Sequence, residues 1–293
     1  MERTIEMTEK ALLDLLQASL AAALEAGQAI SLCYEKPFNI EYKTDGTPLT
    51  EADESAHAII TAHLTQTGLP ILSEEGEMPP FEERQHWDWH WLVDPLDGTK
   101  EFISRNGEFT VNIALVHQGN PVLGVIVAPV LKTAYLGLVG VNAWKITDTT
   151  PLEQDPELML KQDLFTFARP MVMMPPQQAI SVAVSRSHYD DQTRALVRQL
   201  IARYDQVSLL SKGSSLKFCD LAENLASIYP RYSVTNEWDT GAGHAILKAA
   251  GGEVYSMDDR KPLRYNKESL HNPPFIAFPD RNDSERYFSE LSP

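Results

Sequence analysis

The run Trp-Leu-Val-Asp-Pro-Leu-Asp-Gly-Thr-Lys-Glu-Phe, from Trp91 to Phe102, is an apolar β-like segment that stops in two carboxylates, Asp94 and Asp97, around a proline. A strand that ends this way points both acids at one spot beyond its sheet. Two carboxylates at one spot repel, and they stay ionised only with a cation between them. Oxygen donors select Mg2+, Mn2+ or Ca2+ over softer ions. Gly98 and Thr99 then offer a tight turn, free backbone amides and a hydroxyl beside that cation. Metal-assisted phosphoryl chemistry uses parts of this kind.

The 293 residues suffice for one large domain or two medium ones, and 43% of them are hydrophobic. No run reads as long enough to span a bilayer, and the N-terminus lacks the basic and apolar regions of a secretory signal. Cys33 and Cys219 stand far apart in no metal spacing, which fits two buried thiols in a reducing cytoplasm. A net charge of −16 excludes nucleic-acid polymers as partners. It also repels phosphates at long range, so a phosphate substrate requires bound cations to reverse the local sign.

Leu13, Leu16, Leu20 and Leu24 predict an amphipathic helix over residues 8–34, packed on a sheet. Residues 43–48 form a turn cluster. Thr50 then opens a second helix as its N-cap, with Asp53 in the capping-box position. Residues 69–73, 89–93, 109–116, 121–129 and 133–139 read as strands, with a hairpin turning at Gln118-Gly119-Asn120. The Pro-rich stretch from 143 to 178, with Met171, Met173 and Met174, reads as an inter-domain excursion or insertion. From Ile180 strands and helices alternate, the sign of an α/β layer. The last of these helices is predicted over Thr240 to Ala250.

Three acidic groups sit at element ends: Glu74, then Asp94 with Asp97, then Asp239. A single Asp at a helix start usually caps it. Together the four make an oxygen cage for two or three divalent ions. The Gly-rich stretch Gly241-Ala242-Gly243 lacks the rest of a dinucleotide fingerprint, and no P-loop occurs.

Asp-Pro-Leu-Asp-Gly-Thr, the upstream Ser-Glu-Glu and the downstream Trp-Asp-Thr-Gly-Ala-Gly resemble the inositol monophosphatase superfamily of Mg2+-dependent, lithium-sensitive phosphatases. Lys100-Glu101-Phe102, residues 105–112, Ser185-Arg186-Ser187-His188, residues 213–219 and Tyr229-Pro230-Arg231 resemble its CysQ-type 3′(2′),5′-bisphosphate nucleotidases. The resemblance implies a two-domain layered α/β/α/β/α fold. It divides into residues 1–144 with the metal site, a linker or insertion at 145–178, and residues 179–293 with substrate contacts.

Residue roles follow from the same resemblance. Glu74 would hold one metal, Asp94 would bridge two, Leu96 would lend its carbonyl, and Asp97 and Asp239 would hold the second. Glu74 and Thr99 would be catalytic, with Thr99 orienting the attacking water and Asp53 as its partner. Gly98, Ser185, His188, Gly213, Ser214, Ser215, Lys217 and Arg231 would join these residues around substrate, with Lys217 and Arg231 facing a second phosphate.

The implied cofactor is Mg2+, with Mn2+ able to substitute and Ca2+ and Li+ inhibitory. The implied substrates are 3′-phosphoadenosine 5′-phosphate and its sulfated analogue, in the cytoplasm, with a loose hold on the inner membrane face permitted. An inositol or sugar phosphatase and a non-catalytic phosphonucleotide sensor are the alternatives. Gly241 departs from the alanine expected after Trp-Asp-Thr.

Overall fold

The computed structural model describes residues 7–37, 41–42, 48–155, 158, 164–171, 179–187 and 189–290. Helix α1 (Glu9–Tyr34) begins where Thr8 Oγ1 accepts a hydrogen bond from the Ala11 amide at 3.2 Å. Leu16, Leu20, Ala23, Gly27 and Ile30, spaced by three and four residues, form its buried stripe. The short strands β1 (Glu41–Tyr42) and β2 (Pro48–Leu49) pair antiparallel, and helix α2 (Glu51–Thr65) follows. The turn cluster expected at 43–47 lies outside the described residues.

One expectation needs correction. By length and composition alone, α1 is long and apolar enough to cross a membrane, against the expectation that no run is. Half of its most apolar window is buried inside the fold. Its Leu and Ala side chains join the core shared with α2 and the main sheet, so this surface is already covered.

The main sheet has seven strands in the order β3 (Ile71–Ser73), β4 (Trp89–Asp97), β5 (Thr110–His117), β6 (Asn120–Ala128), β7 (Thr133–Leu138), β8 (Asn142–Ile146) and β9 (Arg169–Pro170). Only β3 and β4 run parallel; the other neighbours are antiparallel. Between β5 and β6, Gln118 and Gly119 both have positive φ, at 48° and 75°. That is the turn a twisted two-residue hairpin needs, at the place the sequence predicts. A short helix, α3 (Phe81–Arg84), precedes β4, and another, α4 (Thr99–Ile103), follows it.

The described part of residues 145–178 extends this sheet. Helix α5 (Thr150–Gln154) and a 3₁₀ turn at Leu164–Thr166 follow β8, and β9 pairs back on β8 through Trp144 and Pro170. Met171 packs on the second core, while Met173 and Met174 lie outside the described residues.

Three further strands, with helices α6 (Asp191–Arg203) and α7 (Leu216–Ala222) between them, lead to helix α8 (Glu237–Ala249), and a fourth follows it. Those strands are β10 (Ile180–Ser185), β11 (Val207–Lys212), β12 (Tyr229–Arg231) and, after α8, β13 (Glu253–Ser256). Strand β14 (Phe275–Phe278) and helix α9 (Ser284–Glu290) are the last strand and α-helix among the described residues. Strands β12-β14-β13 form an antiparallel sheet, and β10 pairs parallel to β11 and bridges to Ile228 through Val182.

Helix α8 starts three residues earlier than the sequence suggests, so Asp239 lies inside its first turn. The helix lies flat on the main sheet. Gly124 and Gly137 are register partners on β6 and β7, and a Cβ on either would overlap the α8 backbone at Ala242 and Ile246. Leu92, Ala114 and Ile126 from the sheet pack with Ala242 and Ile246 from the helix. On the far side of the second sheet, Leu196 and Leu200 of α6 and Tyr287 of α9 meet Ile276 and Phe278. The layers therefore run α/β/α/β/α.

Candidate active site

Chain direction brings the acids together. Because β3 and β4 are parallel, with Ser73 beside Val93, the next residues, Glu74 just past the end of β3 and Asp94 still on β4, come side by side. The Glu74 amide donates to the Val93 carbonyl at 3.1 Å, which fixes that turn. Asp239 comes from the first turn of α8. One carboxylate oxygen from each of Glu74, Asp94 and Asp239 lies within 4.8 Å of the others.

Asp94 is 2% exposed. Burial first, then the charges of Glu74, Asp97 and Asp239, hold its carboxyl well above the usual range. Burial, with Asp97 and Glu74, raises Asp239 in the same sense. An all-oxygen donor set that binds protons this strongly is suited to a hard divalent cation, whose charge relieves the same repulsion.

Asp97 is held differently. The β4–β5 register shifts between Asp94 and Asp97, around Pro95, and the bulge turns Asp97 toward β5 and the loop before α7. Its Oδ2 accepts from Ser214 Oγ at 2.6 Å and from Asn112 Nδ2 at 3.2 Å. Thr110 Oγ1 lies 2.6 Å from Ser214 Oγ and 2.8 Å from Ser215 Oγ, and Ser215 Oγ donates to Asn112 Oδ1 at 2.8 Å. Ser214 itself has φ 52°. This knot ties the main sheet to the loop before α7.

Gly98 takes the left-handed conformation, φ 91°, that lets α4 begin at once after Asp97. Thr99 Oγ1 reaches the Leu96 carbonyl at 3.4 Å. Asp53 is 2% exposed, and its Oδ2 accepts from the Thr50 amide and hydroxyl at 2.7 and 2.6 Å, completing the expected capping box. Asp239 also caps: its Oδ2 accepts from the Asn236 amide at 2.8 Å.

A cleft of about 240 Å3 joins these groups. Glu74, Asp94, Leu96, Asp97, Gly98, Thr99, Ser185, Ser214, Ser215, Lys217, Arg231 and Asp239 line it, as do Glu101, Tyr229 and Asn236. Two of its lining residues are buried cations. Lys217 Nζ donates to the Ser214 carbonyl and sits 5.4 Å from the Tyr229 ring centroid. Burial, with Arg231 beside it, lowers Lys217 to about 8 against the pull of Asp97 and Glu101. The Arg231 Nε is buried with no hydrogen-bond partner among the described residues.

Two sequence-based candidates stand apart from the lining. Gly213 is packed beneath it: its amide donates to Glu108 Oε2 at 2.8 Å, and a Cβ there would come within 2.6 Å of Glu101 Cγ. Asp53, held in the α2 cap, is not among the lining residues. His188 lies outside the described residues. Gly241 faces the main sheet, where a Cβ would meet Leu92 Cδ2 at 2.8 Å, so this departure concerns helix seating.

Thr110, Asn112 and Asn236 received no role from the sequence. The signal for the first two was present: polar residues at alternate positions in the otherwise apolar run Thr-Val-Asn-Ile-Ala-Leu-Val, on one face of a buried strand.

Residues 12–289 match the inositol monophosphatase family, and the chain belongs to it. Among its relatives are the 3′(2′),5′-bisphosphate nucleotidases CysQ of Salmonella typhimurium and of Escherichia coli K12, 47% and 45% identical over 86% of this chain and 95% of each relative. The crystal structure of CysQ from Bacteroides thetaiotaomicron is 44% identical, with a TM-score of 0.83 over 92% of this chain and 98% of that one. An inositol monophosphatase from Anabaena, 21% identical with a TM-score of 0.66 over 97% of this chain and 98% of that one, shares the fold.

Proposed function

We propose that this protein is a 3′(2′),5′-bisphosphate nucleotidase that converts 3′-phosphoadenosine 5′-phosphate to AMP and phosphate. Its sulfated analogue, 3′-phosphoadenosine 5′-phosphosulfate, is a second substrate because the reacting end is the same. The carrying observation is one cleft that holds both a carboxylate trio and two buried cations, Lys217 and Arg231. A substrate with two separated phosphates uses both. The identity of the CysQ relatives supports the same reading.

The cation sites are assigned to Glu74, Asp94, Asp97, Asp239 and the Leu96 carbonyl, and Mg2+ is the ion proposed, two or three ions in all. Mn2+ substitutes, and Ca2+ and Li+ inhibit. Such ions, when bound, neutralise phosphate charge and acidify a water. The chain's own residues do the positioning. Thr99 is assigned to orient the water for in-line attack, with Asp53 as its partner. The new bond forms between that water's oxygen and the 3′-phosphorus. The bond from phosphorus to the 3′-oxygen breaks, and the oxygen leaves as the ribose hydroxyl. Asn112 and Ser214 hold Asp97 in place through the hydrogen bonds described above. Lys217 and Arg231 are assigned to the 5′-phosphate, with Ser185, His188, Ser214 and Ser215 as polar contacts. On the proposed division into 1–144, 145–178 and 179–293, Glu74, Asp94 and Asp97 fall in the first part, and Asp239 with these contacts in the last.

The partner is thus a small phosphonucleotide, and the cytoplasm is the proposed setting; Cys33 and Cys219 are free thiols, as a reducing compartment allows. Phosphate release in Mg2+ from 3′-phosphoadenosine 5′-phosphate and from inositol 1-phosphate, measured side by side, tests the reading. The nucleotide should be favoured at least a hundredfold in kcat/KM, and a preference for inositol 1-phosphate would overturn it.

A further inference from the structure

Glu108 and Arg186 lie outside the lining of the cleft yet bind its two sides together. Arg186 leaves the end of β10, one residue after Ser185, and its Nε and Nη2 donate to the two carboxylate oxygens of Glu108 at 2.8 and 2.9 Å. The same Nη2 donates to the Ser211 carbonyl at 3.1 Å, and the Arg186 amide donates to the Lys212 carbonyl at 3.1 Å. Glu108 also accepts from the Gly213 amide. One carboxylate therefore gathers the end of β10 and the start of the loop carrying Ser214 and Ser215. One residue after Arg186, Ser187 Oγ donates to Glu101 Oε1 at 2.5 Å. Glu101 and Glu108 both belong to the segment that follows Asp97, so the acidic side grips the cationic side at two points.

From this geometry we infer that the Glu108–Arg186 pair is a positioning clasp that sets the distance between the phosphate under attack and the second phosphate. The inference rests on the bisphosphate reading above. Arg186 is partly exposed, with 45% of its side-chain surface open, and an exposed ion pair adds little stability. Its forked geometry is what fixes orientation, because both guanidinium bonds must form on one carboxylate. Against burial, which pushes it up, Arg186 and the Gly213 amide hold the Glu108 carboxyl below its usual range, so the clasp stays charged through neutral pH. A lysine at 186 keeps the charge and loses the fork.

The test compares steady-state kinetics of wild type, Glu108→Gln, Arg186→Lys and the exchanged pair Glu108→Arg/Arg186→Glu. The substrates are 3′-phosphoadenosine 5′-phosphate and 4-nitrophenyl phosphate, which has no second phosphate. Glu108→Gln should raise KM for the nucleotide about tenfold, and both single variants should hold kcat within twofold and leave KM for 4-nitrophenyl phosphate unchanged. Arg186→Lys should fall between wild type and Glu108→Gln, and the exchanged pair should recover part of the loss. Equal KM changes on both substrates, or none on either, would overturn the clasp. Wild type that leaves the nucleotide intact would remove the bisphosphate reading itself, and the inference with it.

Discussion

Asp53 and Asp239 each complete a capping box with one oxygen, so the sequence reading of an acid as either cap or ligand sets up a false choice. A carboxylate has two oxygens, and a helix that starts at a site can use one of each. Asn112 shows the opposite case, a polar residue on a strand whose purpose becomes visible only when the loop of Ser214 and Ser215 meets it. That loop is about a hundred residues away in sequence, which no local pattern reveals. At this scale Lys217 yields a pH prediction. Burial and Arg231 lower it to about 8, so the ammonium is charged below that pH and neutral above it. For the bisphosphate nucleotide, kcat/KM should fall about tenfold per pH unit above 8, a limb that Lys217→Arg shifts out of range. A pH profile that is flat from 7 to 10 in the wild type would contradict the role given to Lys217.

The elements were legible in proportion to how local their causes are. Helix α1 shows itself in its leucine spacing, and the β5–β6 hairpin in Gln118-Gly119-Asn120. The seating of α8 does not show, because Gly124 and Gly137 look like weak points in strands until the helix backbone is found on top of them. The same seating moves the helix start back to Glu237 and puts Asp239 within reach of Asp94. Gly124→Ala should therefore cost about 1–3 kcal/mol by forcing helix and sheet apart. It should also lower activity more than stability suggests, because Asp239 moves with its helix. Thermal denaturation together with activity at a temperature where the variant stays folded checks both effects; full activity in a destabilised variant would show that the acids tolerate the shift.

For the molecule as a whole, the layered fold was readable from strand and helix alternation together with the family resemblance, whereas the place of residues 145–178 was not. Their link to β8 is a two-residue pairing with no sequence period to announce it. The net charge of −16 has its sharpest local expression in the trio. Asp94 and Asp239 have folded-state pKa values raised above those of the unfolded chain. Such groups favour the folded state fully only below about pH 4, and that favour is lost as the unfolded carboxyls ionise above it. In chelator, melting temperature should fall as pH rises from 5 to 8. Saturating Mg2+ at pH 7.5 should restore about 5 °C, as expected for a ligand at ~100 times its dissociation constant. Asp94→Asn should flatten the fall in chelator and lower kcat by about three orders of magnitude. Calorimetry showing no Mg2+ effect would count against cation binding at this site.

The parallel pairing of β3 with β4 has one more consequence, for the order of events in folding. Glu74 and Asp94 are brought together early in the chain, but Asp239 arrives only after roughly 145 further residues have folded. An ion gripping all three acts as a reversible cross-link across a long loop. Closing such a loop costs entropy that grows only slowly with its length. The ion's grip should thus form last on refolding and loosen first on unfolding, so that catalytic competence trails the recovery of helix and sheet.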